Sequence, residues 1–161
     1  MKPKLHEYTS KEGDIGIIIS CISDFDCSEF FNSHLGKSQS EQKKIVNNFQ
    51  SAICNSLANN ITNTSWQLEY SPSTEKRDSI DIFGSNNETQ VVIELDKHRA
   101  DQVAKKFVSR NALLIDKTVF YISLCYPGTS NMNSSECVKY FSYCKQLSKR
   151  MGNEYAGFII E

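Results

Sequence analysis

Long apolar runs, paired cysteines and glycine-rich loops are all missing from this sequence of 161 residues. No segment approaches the ~20 apolar residues that a membrane span needs. The N-terminus also lacks the basic-then-apolar pattern of a secretory signal. We therefore expect a cytoplasmic protein without membrane contact. The six cysteines contain no C-x-x-C pair, so the tight spacing of a zinc site is missing, and reduced structural cysteines are the favoured interpretation.

Motifs for nucleotide cofactors and for covalent catalysis are absent as well. The chain has no Walker loop, no glycine-rich dinucleotide turn and no G-x-S-x-G nucleophile motif. Its net charge is only −1, so any attraction to nucleic acid must come from a local patch. The composition, 39% hydrophobic and 23% charged, is typical of a globular protein, and the length fits a single domain over residues 1–161.

Hydrophobic periodicity predicts an α/β protein. Residues 1–13 are polar and are predicted to be flexible, and Asp14–Ile22 is interpreted as a short buried strand, although a helix also fits. From residue 39 onward the predicted order is α-β-β-β-α-β-α-β. The predicted elements are a helix at 39–61 capped by Ser38 or Ser40, strands at 65–70, 79–84 and 89–96 with a loop at 71–78, a helix at 98–114, a strand within 117–128, a helix at 133–151 and a strand at 154–161.

Three acidic residues lie inside the two predicted strands on either side of the 85–89 turn. Glu94 and Asp96 point to the same face because side chains alternate along a strand, and Asp81 lies nearby if the two strands form a hairpin. Buried carboxylates need a partner, and a cluster of three is typical of a Mg²⁺ site. Such an ion can activate a bound water. The alternative is that these acids flank strand ends and face solvent.

A basic helix follows the acids directly and offers a second indication. Three- and four-residue spacing places part of its polar side chains on one stripe, made of Arg99, Gln102, Lys106 and Arg110. Lys97 and Lys105 lie close by in the sequence. Positive side chains beside a metal site suit a phosphodiester backbone. An ordinary solvated helix face is the alternative for this stripe.

The acids and their spacing resemble the motif of the PD-(D/E)xK phosphodiesterase superfamily, and the resemblance runs from Ser38 to Pro127. It implies a restriction-endonuclease-like αβββαβ core with a mixed central sheet flanked by helices, here with an added C-terminal helix and strand. Asp81 and Glu94 match the motif acids and would be catalytic metal ligands. Asp96 stands at the lysine position and would add a third ligand. Lys106, or else Lys97 or Lys105, would replace the missing lysine.

The resemblance implies a Mg²⁺-dependent nuclease of restriction or repair type that hydrolyses DNA, with Mn²⁺ able to substitute. Phosphate or nucleic-acid contacts would come from Arg99, Gln102, Lys105 and Arg110. Cutting of duplex DNA would suggest a homodimer. One alternative is a catalytically inactive module of the same fold that binds nucleic acid or a protein partner. Another is a small adaptor or immunity-type protein without nucleic-acid contact.

Overall fold

The computed structural model of this protein describes residues 1–73, 78–129 and 132–161, and its strands form one mixed sheet. The predicted loop at 71–78 includes residues 74–77, which lie outside the described residues. The strands are β1 (Pro3–Tyr8), β2 (Ser65–Tyr70), β3 (Ile80–Ser85), β4 (Thr89–Lys97), β5 (Thr118–Tyr126) and β6 (Glu154–Ile160). The helices are α1 (Gly13–Asp24), α2 (Ser28–Phe31), α3 (Gln39–Asn60), α4 (Ala100–Leu113) and α5 (Ser134–Met151), with a 3₁₀ turn at His34–Gly36.

The sheet has the strand order β1-β6-β5-β4-β3-β2. Strands β4, β5 and β6 run parallel, whereas β1, β2 and β3 pair antiparallel with their neighbours. Parallel neighbours need crossover connections, and here α4 and α5 supply them. The predicted α/β class with helices on a mixed sheet is therefore confirmed, as is the element order from residue 39 onward.

Two hydrophobic cores lie on opposite faces of the sheet. One packs α1 and α3 against alternate residues of the central strands, with Phe49, Ile53 and Ile93 at its centre. The other packs α4 and α5 against the opposite face, around Phe107 and Phe141. Each core buries one face of the central strands, so a charged side chain on either face requires a partner.

Helix α3 begins where its sequence predicts. The Ser38 side chain accepts a hydrogen bond from the Glu41 backbone N–H, and the Glu41 carboxylate accepts one from the Ser38 backbone N–H. This reciprocal capping box satisfies two backbone donors at the helix start. The first turns of α3 lie beside the end of β4, where Lys97 donates a hydrogen bond to Gln42.

The segment Asp14–Ile22 is helical, so its interpretation as a strand is wrong. Four isoleucines of α1 are buried, at positions 15, 18, 19 and 22. That spacing places the isoleucines on one face of a helix. The apolar run is also short enough to fit a buried strand, so periodicity alone did not separate the two.

The prediction of a flexible N-terminal segment is also wrong for Pro3–Tyr8. This segment forms β1, which pairs antiparallel with β6. The backbone N–H of Lys2 extends the pairing to the Glu161 carbonyl at 2.9 Å. An edge strand exposes part of its surface to solvent, which explains its polar composition. Among the described helices, none is both long and apolar enough to cross a membrane.

Candidate active site

Strands β3 and β4 separate at the end where the acids lie. Their ladder runs from Ser85 opposite Gln90 to Ile82 opposite Ile93. Beyond it, the backbone N–H of Leu95 donates to Asp81 Oδ2 at 2.7 Å. The carboxylate of Asp81 thus takes the place of a backbone acceptor, which fixes its position between the two strands.

Strand alternation brings Glu94 and Asp96 to the same face, as predicted. Ile93 and Leu95 pack into the α1/α3 core, so Glu94 and Asp96 face α4. Glu94 is 1% exposed and Asp96 is 7% exposed. Both carboxylates are therefore removed from water and depend on partners supplied by α4.

Lys106 of α4 supplies the first of these partners. Its Nζ lies 2.9 Å from Glu94 Oε2, 3.1 Å from Asp81 Oδ2 and 3.2 Å from Asp96 Oδ1. It also lies 3.1 Å from the carbonyl oxygen of Leu95. The sequence singled out these four side chains, and the structure brings them into one group, which we call the carboxylate–lysine cluster (Asp81, Glu94, Asp96 and Lys106).

Arg110 supplies the second partner. Its Nε donates to Glu94 Oε1 at 2.7 Å, and its Nη2 donates to the Ser79 carbonyl at 2.6 Å. Its Nη1 lies 3.3 Å from Asp78 Oδ1. The residue is only 6% exposed, because the buried Glu94 carboxylate holds the guanidinium inside the protein. Contact of Arg110 with a phosphate backbone stays a prediction.

A layer of polar residues behind the cluster was not predicted. Gln50 of α3 is 5% exposed, and its Nε2 donates to Glu69 Oε1 at 2.9 Å and to the Asp81 carbonyl. Ser79 Oγ donates to the other oxygen of Glu69 at 3.0 Å. Glu69 has φ +50°, a conformation that non-glycine residues rarely adopt and one often associated with functional sites. The one feature of the sequence that could have indicated this layer is Gln50, a polar residue on the apolar face of an amphipathic helix.

The carboxylate–lysine cluster and Arg110 together contain more acidic than basic side chains. Asp81, Glu94 and Asp96 face the two cations Lys106 and Arg110. Burial, followed by the charge of Asp81, raises the pKa of Glu94 to about 8. Burial also raises the pKa of Asp96 to about 6, although Lys106 opposes this shift. Burial lowers the pKa of Lys106, but the three carboxylates outweigh it and hold the pKa above its usual value. The excess of acid thus favours one bound proton or one further cation.

The donor set suits a hard divalent cation, because three carboxylates supply the oxygen ligands that Mg²⁺ prefers. Within the ranges that the structure describes, no group of three His, Cys, Asp or Glu residues is arranged to hold a metal ion. The Lys106 ammonium already contacts one oxygen of each acid. A metal ion would therefore compete with Lys106 for the same oxygens.

The remaining predicted residues lie outside the cluster. Lys97 donates to Gln42 Oε1 at 3.0 Å on the α3 side of the sheet, because odd positions of β4 face away from the acids. The structure therefore does not bring Lys97 into the cluster, and its role as a catalytic lysine stays a prediction. Arg99 pairs with the exposed Asp101 at 2.8 Å, and Gln102 also donates to Asp101. Lys105 is exposed. Contact of Arg99, Gln102 and Lys105 with nucleic acid stays a prediction.

Replacing Arg110 with Met should destabilise the fold by about 3–5 kcal/mol above pH 8, because it leaves the buried Glu94 carboxylate without one of its two cationic partners. At lower pH the effect should be smaller, since the pKa of Glu94 is raised to about 8 and the group then carries a proton. The matched control is Arg99→Met, which removes a half-exposed guanidinium and should change stability by less than about 0.5 kcal/mol. Urea unfolding of both variants measures the difference. Equal midpoints for the two variants would contradict the structural role of Arg110.

The fold and the site together define an α/β protein with a buried carboxylate–lysine cluster where two antiparallel strands separate. No family model, curated protein or solved structure matches the chain.

Proposed function

We propose that this protein is a Mg²⁺-dependent nuclease that hydrolyses phosphodiester bonds of DNA, with a restriction-endonuclease-like core. The observation that carries the proposal is the convergence of Asp81, Glu94 and Asp96 on Lys106 within 3.2 Å. An ion-pair network needed only for stability does not require more acids than cations, and burying such charges is costly. Excess buried acid is typical of sites that bind a cation or hold an unusual proton.

The arrangement of elements supports the same proposal. The order α3-β2-β3-β4-α4-β5 corresponds to the αβββαβ core of the PD-(D/E)xK superfamily, and Asp81 and Glu94 stand at the motif acids on β3 and β4. The motif lysine is replaced by Asp96, yet the ammonium of Lys106 on α4 contacts both motif acids, Asp81 and Glu94. A lysine from the following helix thus supplies the charge that the motif position lacks.

Each side chain has a role that follows from its surroundings. Glu94 and Asp96, almost fully buried, would hold Mg²⁺ (or Mn²⁺) together with Asp81, and that ion when bound would lower the pKa of a coordinated water and neutralise charge on the phosphate. The Lys106 side chain is 21% exposed and keeps its proton, because its pKa is raised. Its ammonium contacts the three acids and the Leu95 carbonyl, so it would donate to a phosphate oxygen or orient a water molecule once the acids hold the ion instead.

The direct test is a cleavage assay with the purified full chain. Supercoiled plasmid, linear duplex and single-stranded DNA are each incubated with the protein in Mg²⁺, Mn²⁺ or EDTA. We expect cleavage in Mg²⁺ and Mn²⁺ and none in EDTA, because the carboxylates alone provide no Lewis acid to polarise the phosphate or activate a water molecule. Absence of cleavage of every DNA form by folded protein would contradict the proposal.

One observation favours a second candidate, an inactive module of the same fold that binds nucleic acid or a protein. Lys106 already pairs with all three acids, and the described residues contain no ready group of three metal ligands. In that case the cluster would be purely structural. DNA binding without cleavage, unchanged in Glu94→Ala, would support the module over the enzyme.

A further inference from the structure

A groove of about 310 Å³ opens on the other side of the strand that carries the acids. It is lined by the N-terminal half of α3 and the ends of β4 and β5, through Gln39, Gln42, Lys43, Val46, Asn47, Lys97 and Tyr126. Its volume is at the lower end of the roughly 300–1,000 Å³ typical of small-ligand sites. We call it the α3 groove. None of its residues belongs to the carboxylate–lysine cluster.

The α3 groove carries positive charge and no negative charge among the side chains that line it. Lys43 and Lys97 contribute ammonium groups, and no carboxylate is among the lining residues. Such a surface on a chain of net charge −1 is a local attraction for anions, not part of a generally basic protein.

Several polar groups in the groove have unused hydrogen-bonding capacity. The exposed side chains of Gln39, Lys43 and Asn47 follow one another every four residues along α3 and make no hydrogen bond or ion pair with the described residues. Lys97 uses one of its three donors on Gln42. Lysine ammonium and Asn or Gln amide groups are side chains that contact phosphate and sugar oxygens in protein–nucleic acid complexes.

The groove and the cluster are neighbours at one edge of the sheet. Asp96 and Lys97 are consecutive residues at the end of β4, and strand alternation sends the first toward α4 and the second toward α3. Tyr126, at the equivalent end of β5, lines the groove, and its ring stacks on Phe31 at 5.3 Å. A strand of nucleic acid that crosses this edge can contact the α3 groove and the exposed side of Lys106 together.

We propose that the α3 groove binds the sugar–phosphate backbone of the substrate strand next to the cleaved phosphate, with Lys43 and Lys97 pairing with phosphates. This inference deepens the proposed nuclease function and rests on it for the identity of the ligand. It replaces the stripe on α4 as the main backbone contact. On that stripe Arg110 is buried and Arg99 is paired with Asp101, whereas neither lysine of the groove forms an ion pair with the described residues.

The test measures binding of fluorescently labelled single-stranded and duplex oligonucleotides by anisotropy, in EDTA so that no cleavage occurs. Lys43→Gln and Lys97→Gln are compared with Lys44→Gln, a matched control on the same helix that is exposed but does not line the groove. Each groove variant should weaken binding about fivefold at 0.1 M salt. It should also make the negative slope of log K against log[salt] shallower, by about 0.7 for single strands or 0.9 for duplex, because one phosphate contact is lost. The control should show neither effect.

The slopes also show whether single-stranded or duplex DNA occupies the groove. Only the form that contacts Lys43 and Lys97 should show a changed slope in the variants. Equal behaviour of Lys43→Gln and Lys44→Gln would overturn the inference, as would the absence of nucleic-acid binding. If cleavage occurs but Lys43→Gln leaves binding unchanged, the groove inference fails and the nuclease proposal stands. If no cleavage occurs but Lys43→Gln weakens binding, the nuclease proposal fails and the groove remains a nucleic-acid site.

Discussion

Replacing Glu94 with Gln, or Asp81 with Asn, should reduce metal-dependent DNA cleavage on the order of 100-fold or more. Each change removes one negative oxygen donor and keeps the size of the side chain. A bound metal ion supplies several kcal/mol of transition-state stabilisation, and each 1.36 kcal/mol lost costs a factor of ten in rate. Initial cleavage rates on the preferred DNA form, measured across a range of Mg²⁺ concentrations, give the size of the effect.

The matched control for this experiment is Glu88→Gln. Glu88 is exposed in the turn between β3 and β4, so the same chemical change at that position should leave the rate within about twofold of wild type. Asp81→Asn is the more informative of the two site variants, because the Asp81 side chain is 21% exposed and its loss disturbs the interior less than that of Glu94. Folded Asp81→Asn and Glu94→Gln proteins that retain wild-type rates would exclude the cluster as the catalytic site.

Replacing Lys106 with Met should abolish cleavage and also destabilise the protein by about 3 kcal/mol at pH 8. The variant leaves three carboxylates at one site with only Arg110 as a cation, and breaking a buried pair costs about 3–5 kcal/mol. We take the lower end because the Lys106 side chain is 21% exposed. The control is Lys105→Met on the same helix, where the lysine is exposed and its loss should have little effect.

This loss of stability should depend on pH. Lys106 interacts with the ionised forms of Glu94 and Asp96, whose pKa values are raised to about 8 and about 6. At pH 5 both groups are mainly protonated, so removal of the ammonium exposes little uncompensated charge. As the pH rises through 6 and then 8 the carboxylates ionise, and the deficit of Lys106→Met grows. Thermal unfolding of wild type and variant at pH 5 and pH 8 measures the change.

Magnesium should restore the stability of Lys106→Met if the acids form a metal site. The ammonium no longer competes for the carboxylate oxygens, and at one hundred times its dissociation constant a ligand stabilises the folded state by about 2.7 kcal/mol. For a chain of this length that corresponds to a rise in Tm of roughly 5–11 °C. A variant as stable as Lys105→Met at pH 8 would contradict the stabilising role of Lys106, and one that Mg²⁺ does not stabilise would contradict the proposed metal site.

Local sequence patterns were sufficient for much of the fold. The four-residue spacing of apolar residues and Ser38 with Glu41 specify α3, because a capping box and an apolar stripe act within one helix. Strand alternation was equally sufficient to place Glu94 and Asp96 on one face. Helix α1 shows the limit of such patterns: its isoleucines have helical spacing, but the run is short enough that a buried strand accounts for it equally well.

Edge pairing and the polar layer behind the cluster could not be predicted in the same way. Pro3–Tyr8 becomes a strand because β6, more than a hundred residues away, presents an unpaired edge. Gln50 and Glu69 meet because α3 packs across β2 and β3. Contacts between segments so distant in sequence depend on chain topology, which no local periodicity encodes.

By itself the sequence determined the α/β class, the element order from residue 39 onward and the three acids that share one end of two strands. Only the tertiary structure decided what those acids contact. Because α4 crosses back over the face to which Glu94 and Asp96 point, Lys106 and Arg110 reach the acids while Lys97, next to Asp96 in sequence, is turned toward α3. A helix stripe specifies which residues lie side by side, but the packing of the helix on the sheet decides which of them are buried against charge and which remain exposed.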